Sequence, residues 1–194
     1  MKHLIIYAHP NHESLNHAIL DKTAIVLEKL GHDYVIRDLY MMEFQPVLTL
    51  NDMTAIRAGT MPKDIQQEQE YIREAEVLTF IYPIWWTGLP AIVKGYVDRV
   101  FAEGFAYGIG EKGHIPLLTE KKGLIINTQG HPNDVYDAMG MTEGMKATSD
   151  IGILDFVGIE PMEHLFFGSI GTLSEDENKG ILKKVEATLL SLFS

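Results

Sequence analysis

Three segments of this chain carry side chains whose types and spacing suit binding of an anion and of a flat aromatic molecule. The first, His9-Pro10-Asn11-His12-Glu13-Ser14-Leu15-Asn16, gathers side-chain donors directly after an apolar run, with Ser14 placed to cap a helix. Free N–H groups and the positive dipole end at such a helix start favour a phosphate. Neither G-x-G-x-x-G nor G-x-x-x-x-G-K-[ST] is present, which removes the dinucleotide fingerprint and the P-loop. A plain cap at Ser14 and a turn-filling His9 explain the segment equally well. The second segment is Tyr82-Pro83-Ile84-Trp85-Trp86-Thr87-Gly88-Leu89-Pro90. Two adjacent tryptophans between prolines and a glycine cannot share one core layer, whereas a planar ligand against rigid backbone explains them. A dimer patch or a wedge between helices is the alternative, and the two uses are compatible. The third, Asn127-Thr128-Gln129-Gly130-His131-Pro132-Asn133, offers amides, a hydroxyl and a glycine for the polar edge of such a ring, although composition alone favours an ordinary turn.

The elements that must position these segments follow from periodicity. Short apolar runs at His3–Ala8, Asp33–Arg37, Val77–Tyr82, Gly123–Thr128 and Ile159–Phe167 read as strands covered on both faces. Between them lie helical patterns. One runs from Ser14 to Leu30 and is stopped by Gly31; another spans Leu89–Phe101, with Pro90 in its first turn. A weaker helix is expected over Ile65–Ala75 and one within Tyr136–Val157, and the last starts at the capping box Ser174-x-x-Glu177. Strand–helix alternation implies a single α/β domain over residues 1–194, a three-layer sandwich around a five-stranded parallel sheet of order 2-1-3-4-5. In that topology ligands bind at the carboxyl ends of strands one, three and four, where the three segments fall.

Composition narrows the function. The chain has no cysteine, which excludes disulfides, thiolate catalysis and cysteine-held clusters. A formal net charge of −11 without a Lys/Arg cluster argues against nucleic acid as a partner. The apolar N-terminal run is too short for a signal peptide, so a cytoplasmic protein is expected. His3, His12, His17, His32, His114 and His164 lack metal-ligand spacing and read as surface or capping residues, so no metal site is expected. Asp98-Arg99 reads as a helix-surface or interface pair. No nucleophile elbow supports hydrolase chemistry.

The three segments together resemble the flavin-dependent NAD(P)H:quinone oxidoreductases, the family of DT-diaphorase, the modulator-of-drug-activity reductases and the quinone reductases ancillary to potassium-efflux systems. Ala8-His9-Pro10 with Ser14-Leu15-Asn16 matches its first motif, and Pro83 through Phe101 matches P-x-x-W-x-G-x-P-A-x-x-K-G-[WY]-x-[DE]-R-V-F almost without a gap. Phe105-Ala106-Tyr107 and the run from Asp38-Leu39-Tyr40 through Phe44 and Pro46 extend the match along the chain.

The resemblance implies a flavodoxin-like homodimer with one flavin per subunit. His9, Ser14, Leu15 and Asn16 would hold the phosphate and ribityl chain. Pro83, Ile84, Trp85, Trp86 and Thr87 would line the isoalloxazine, and Asn127, Thr128 and Gly130 its pyrimidine side. It also implies ping-pong transfer of a hydride from NAD(P)H through the flavin to a quinone. Trp86 and Tyr107 would meet the acceptor, Tyr107 as a lid over the neighbouring subunit's flavin. Members stabilise the reduced ring with a Tyr and a His. Tyr136 takes the first role if one residue is inserted after Gly130, while the second position falls near Met141 or Thr142, which leaves His131 as the substitute. The C-terminal extension of the long-chain members is missing, which favours FMN, with FAD the alternative. Two rival roles stand beside this one: an ancillary subunit with an ion-efflux partner in the membrane, which would share these residues, and a flavodoxin-like electron carrier, against which the lid-like Phe105–Tyr107 segment suits a small-molecule pocket.

Overall fold

The computed structural model describes all 194 residues. In chain order the elements are β1 (Lys2–Tyr7), α1 (Leu15–Lys29), β2 (Asp33–Asp38), α2 (Leu50–Arg57), α3 (Lys63–Glu74), β3 (Val77–Pro83) and α4 (Ala91–Val100). There follow β4 (Tyr107–Gly110), β5 (Gly113–Pro116), β6 (Lys122–Thr128), α5 (Asn133–Ala138), α6 (Met141–Lys146), a π-helix (Ala147–Asp155), β7 (Glu160–Phe167) and α7 (Glu175–Phe193). The five strands foreseen from the apolar runs pair in parallel in the order β2-β1-β3-β6-β7, the expected order once β6 and β7 are counted as fourth and fifth. No helix is long and apolar enough to cross a membrane.

Alternation along the central strands divides the core in two. Ile5, Tyr7, Ile81, Leu124 and Ile126 pack with Ile19, Val26, Val185 and Leu189 from α1 and α7. Leu4, Ile6, Phe80, Tyr82 and Ile125 pack on the other face with Ile72, Val93, Tyr96 and Leu154 from α3, α4 and the π-helix. Ser14 caps α1 by accepting from the His17 N–H, and Gly31 ends it at φ +71°, as expected.

Five features depart from the sequence reading. Residues 133–155 form three short pieces in place of one helix, because Gly140 turns at φ +71° between α5 and α6 and the last piece widens into a π-helix. An antiparallel hairpin, β4–β5, follows Phe105 and Ala106. His3 and His164 are buried rather than surface residues. Arg99 is also buried and leaves Asp98 to Lys94. It donates to both Asp52 carboxylate oxygens at 3.1 and 3.2 Å, to Asp64 at 2.9 Å and to the Gln45 carbonyl at 2.8 Å. Burial pushes the Asp52 carboxyl up, but hydrogen bonds from Arg99 and Thr49 outweigh it and hold the group below its ordinary range. This anchors the excursion between β2 and α3, which contains the unforeseen helix α2. Where that excursion crosses α4, a side chain on Gly95 would stand 2.1 Å from the Pro46 carbonyl oxygen, so only glycine fits.

Candidate functional site

The carboxyl ends of β1, β3 and β6 open into a cleft of about 580 Å³, lined by His9, Ser14, Leu15, Asn16, Pro83, Ile84, Trp85, Trp86, Thr128, Gln129, Gly130 and Ile170. The crevice rule thus brings the three segments together. At one end lies the start of α1. The N–H groups of Leu15 and Asn16 lie in the first turn of the helix and have no intrahelical acceptor. Asn16 is buried; its Nδ2 donates to Thr128 Oγ1 at 2.6 Å, and its Oδ1 has no partner. Turned over, the amide would accept the Thr128 hydroxyl hydrogen on Oδ1 and free Nδ2 as a donor. The Tyr7 hydroxyl is buried beside Ser14, and burial pushes it up to about 12, so it stays a neutral phenol. His9 Nδ1 lies 3.0 Å from both the N–H and the carbonyl of Asn11, which leaves Nε2 for a ligand.

The second wall is a tight turn. Trp85 and Gly88 exchange N–H···O bonds of 3.2 Å around Trp86 and Thr87, whose φ angles are +53° and +55°. Positive φ at both central positions defines a type I′ turn, a conformation that favours Asn-Gly. A β-branched Thr there is a genuine outlier, and each such residue stores about 1–3 kcal/mol of strain. The turn holds Trp86 wholly exposed and Trp85 42% exposed. Thr87 is absent from the cleft wall: its hydroxyl bonds the Trp86 carbonyl at 2.7 Å.

The third wall is the β6 loop. Thr128 and Gly130 line the cleft, and so does Gln129, which the sequence reading noticed but did not assign. Gln129 Nε2 donates to Asn133 at 3.1 Å, and its buried Oε1 is unpartnered. Asn133 in turn donates to the Phe166 carbonyl at 2.8 Å, and Gly168 allows this close approach, since a side chain there would meet the His131 carbonyl at 2.6 Å. Asn127 does not face the cleft. Strand alternation turns Thr128 toward α1 and Asn127 to the opposite side, where it is fully buried. Ile170 was missed because it follows the fifth strand, outside the three ends that the crevice rule names.

Three further sequence candidates lie off the cleft wall. His131 of the β6 loop and Tyr136 of α5 pack against each other, ring centroids 5.1 Å apart. Tyr107 lines a separate groove between α4 and the π-helix, against Phe156 of its own chain. No three His, Asp or Glu side chains converge as a metal site.

Residues 1–191 match the family described as flavodoxin-like fold. An uncharacterized NAD(P)H oxidoreductase of Haemophilus influenzae is 36% identical over 99% of this chain and 98% of its own length. NAD(P)H dehydrogenase [quinone] 1 of Rattus norvegicus is 30% identical over 93% of this chain and 73% of its own. The solved NAD(P)H:quinone oxidoreductase of Methanothermobacter marburgensis superposes with a TM-score of 0.90 at 28% identity, covering 97% of this chain and 96% of that one. The chain belongs to the flavodoxin-like family, whose members similar to it include NAD(P)H oxidoreductases and quinone reductases.

Proposed function

We propose that the cleft holds a flavin, FMN in preference to FAD, and that the protein catalyses two-electron reduction of a quinone or similar electrophilic aromatic by NAD(P)H. One observation carries the reading: a helix start with unbonded N–H groups and a strained Trp-Trp turn face each other across one cleft. The Asn16 amide, which has one polar atom free in either orientation, and the unpartnered Gln129 Oε1 are polar groups awaiting a ligand. No Lys or Arg lines the cleft, so an anion there would rest on N–H dipoles and neutral donors, which suits a single phosphate. The names of the relatives supply donor and acceptor.

Ser14, Leu15, Asn16 and His9 would bind the phosphate and ribityl end. Pro83, Ile84, Trp85 and Trp86 would lie along the ring and keep water from it, and Thr128, Gln129 and Gly130 would address its polar edge. The flavin that these residues would hold would supply hydride transfer between the nicotinamide and the acceptor. His131 and Tyr136 are the nearby groups able to donate hydrogen bonds to a ring that gains negative charge. Tyr107, turned away from its own cleft, is assigned to the acceptor site of a second subunit in a cytoplasmic homodimer.

The test starts from the purified chain, which should show flavin absorption and release free FMN on heating. Ser14→Ala and Asn16→Ala should each weaken FMN about tenfold or more, since a hydrogen bond to a charged group is typically worth about 1.5–3 kcal/mol. With NAD(P)H and menadione, double-reciprocal plots should be parallel, because donor and acceptor take turns at one exposed ring face. A chain that refuses both flavins ends the reading, and intersecting lines end the single-face scheme.

A further inference from the structure

Beneath the cleft, a set of buried side chains outside the reading above ties β3 and β6 together. Asn127 Nδ2 donates to the Tyr82 carbonyl at 3.0 Å, and Asn127 Oδ1 lies 2.6 Å from His164 Nε2. The other ring nitrogen of His164, Nδ1, lies 2.7 Å from Asp150 Oδ1. The imidazole is 3% exposed and stacks on Phe166 at 3.9 Å. Asp150 belongs to the π-helix, a rare element in which Ser149 and Asp150, though consecutive, both reach the sheet: Ser149 approaches the Tyr82 hydroxyl and Asp150 the imidazole.

A proton count fixes the state of this set. The Tyr82 carbonyl only accepts, so Asn127 must present its NH₂ there and cannot be turned over. Its Oδ1, also an acceptor, then requires a hydrogen on His164 Nε2. A carboxylate at Asp150 requires a second hydrogen on Nδ1. The pair therefore holds one proton more than a neutral imidazole beside a carboxylate, and the short contacts fit charge-assisted bonds.

We propose that His164 and Asp150 are positioning residues: a buried imidazolium–carboxylate pair that locks the Asn127 amide and, through the Tyr82 carbonyl, sets the ends of β3 and β6 where Pro83, Ile84 and Thr128 frame the cleft. Its effect on ligand binding rests on the flavin reading; its effect on the strand ends does not. The groups facing His164 are Asp150 from the π-helix, Asn127 from β6 and Phe166 from its own strand, with the Tyr82 hydroxyl and Ser149 beside Asn127 and Asp150. Burial holds the Tyr82 phenol at about 12, so the phenol stays neutral beside the pair. Without the pair's extra proton, His164 would have to release either Asn127 or Asp150. An Asn at position 150 would donate to Nδ1 and keep every bond with a neutral ring.

Nitrogen-resolved NMR of the full chain without ligand should find both His164 nitrogens protonated at about pH 7, and Nε2 alone in Asp150→Asn. Amide exchange reads the strand ends through Ile84, whose N–H bonds the Thr128 carbonyl at 2.7 Å. His164→Phe should lower protection at Ile84 about tenfold or more while the β1 amides keep theirs, and should weaken FMN by a similar factor. Asp150→Asn should stay within about twofold of the wild type in both, because a neutral ring then keeps every bond. A singly protonated wild-type ring overturns the proposal, and so does unchanged Ile84 protection in His164→Phe. If His164→Phe does not fold, the ring nitrogens decide: two protonated nitrogens in Asp150→Asn, as in the wild type, overturn it. A wild type that binds no flavin defeats the flavin reading alone, because the ring protonation and the exchange still test the pair.

Discussion

His3 shows how much a single buried ring can dictate. It sits at the start of β1, bonded through Nε2 to His32 at 3.0 Å and edge-on to Phe193 at 4.8 Å, with Nδ1 buried and unpartnered. Burial, aided by the neighbouring His32 and the N-terminal amine, lowers its pKa from 6.5 to about 4. The folded state therefore refuses a proton that the unfolded state accepts. Stability is whole above about pH 6.5 and falls as pH drops toward 4, by roughly 3 kcal/mol at most. Urea melts between those limits should show the fall in the wild type and a reduced one in His3→Leu; equal slopes would remove His3 as the cause. The sequence reading took His3 for a surface residue because a lone histidine carries no sign of what covers it. His9, Ser14, Asn16 and Thr128 were legible because their chemistry stands at strand ends that topology alone brings together. Asn127 was misplaced although the strand pattern held the answer: Leu124, Ile126 and Thr128 share one face, so Asn127 belongs with Ile125 on the other.

Among the elements, the Trp85–Gly88 turn is the one in which local preference and observed conformation conflict. Nothing in Trp-Trp-Thr-Gly announces two consecutive positive φ angles, so the sequence reading saw a rigid loop and not its type. Thr87→Gly removes the β-branched residue from a conformation that costs about 1–3 kcal/mol, against about 0.5–1 kcal/mol of added chain entropy. Thermal melts should show the variant holding or gaining stability, the reverse of the usual outcome of Thr→Gly. A loss above about 1 kcal/mol would mean that the Thr87 hydroxyl bond to the Trp86 carbonyl carries the turn. Strands and the capped helices α1 and α7 were readable from periodicity and caps. The π-helix was not, because its register is set by what Ser149 and Asp150 meet on the sheet rather than by any propensity of Ala147–Asp155.

At the scale of the whole molecule, the sheet and its two cores form a continuous body, and residues 39–62 are an addition to it. This stretch leaves β2, forms α2 and returns to α3, and apolar side chains on it face solvent: Met41 and Leu50 are each 77% exposed and Val47 70%. Leu39 and Phe44 root its first residues in the core, and beyond them its hold on the body runs through Arg99 and through the contact of Pro46 with α4. The narrowness of that contact has a consequence for how the chain comes apart. A single methyl group on Gly95 would act as a wedge between α4 and Pro46, prising one flap from an otherwise sound molecule. In Gly95→Ala, trypsin should then cut at the exposed Arg57 and Lys63 well before any site in the sheet, leaving a nicked protein whose main body still melts cooperatively. Digestion at the wild-type rate would mean that Arg99 and the buried Leu39 and Phe44 pin the flap without the Pro46 contact.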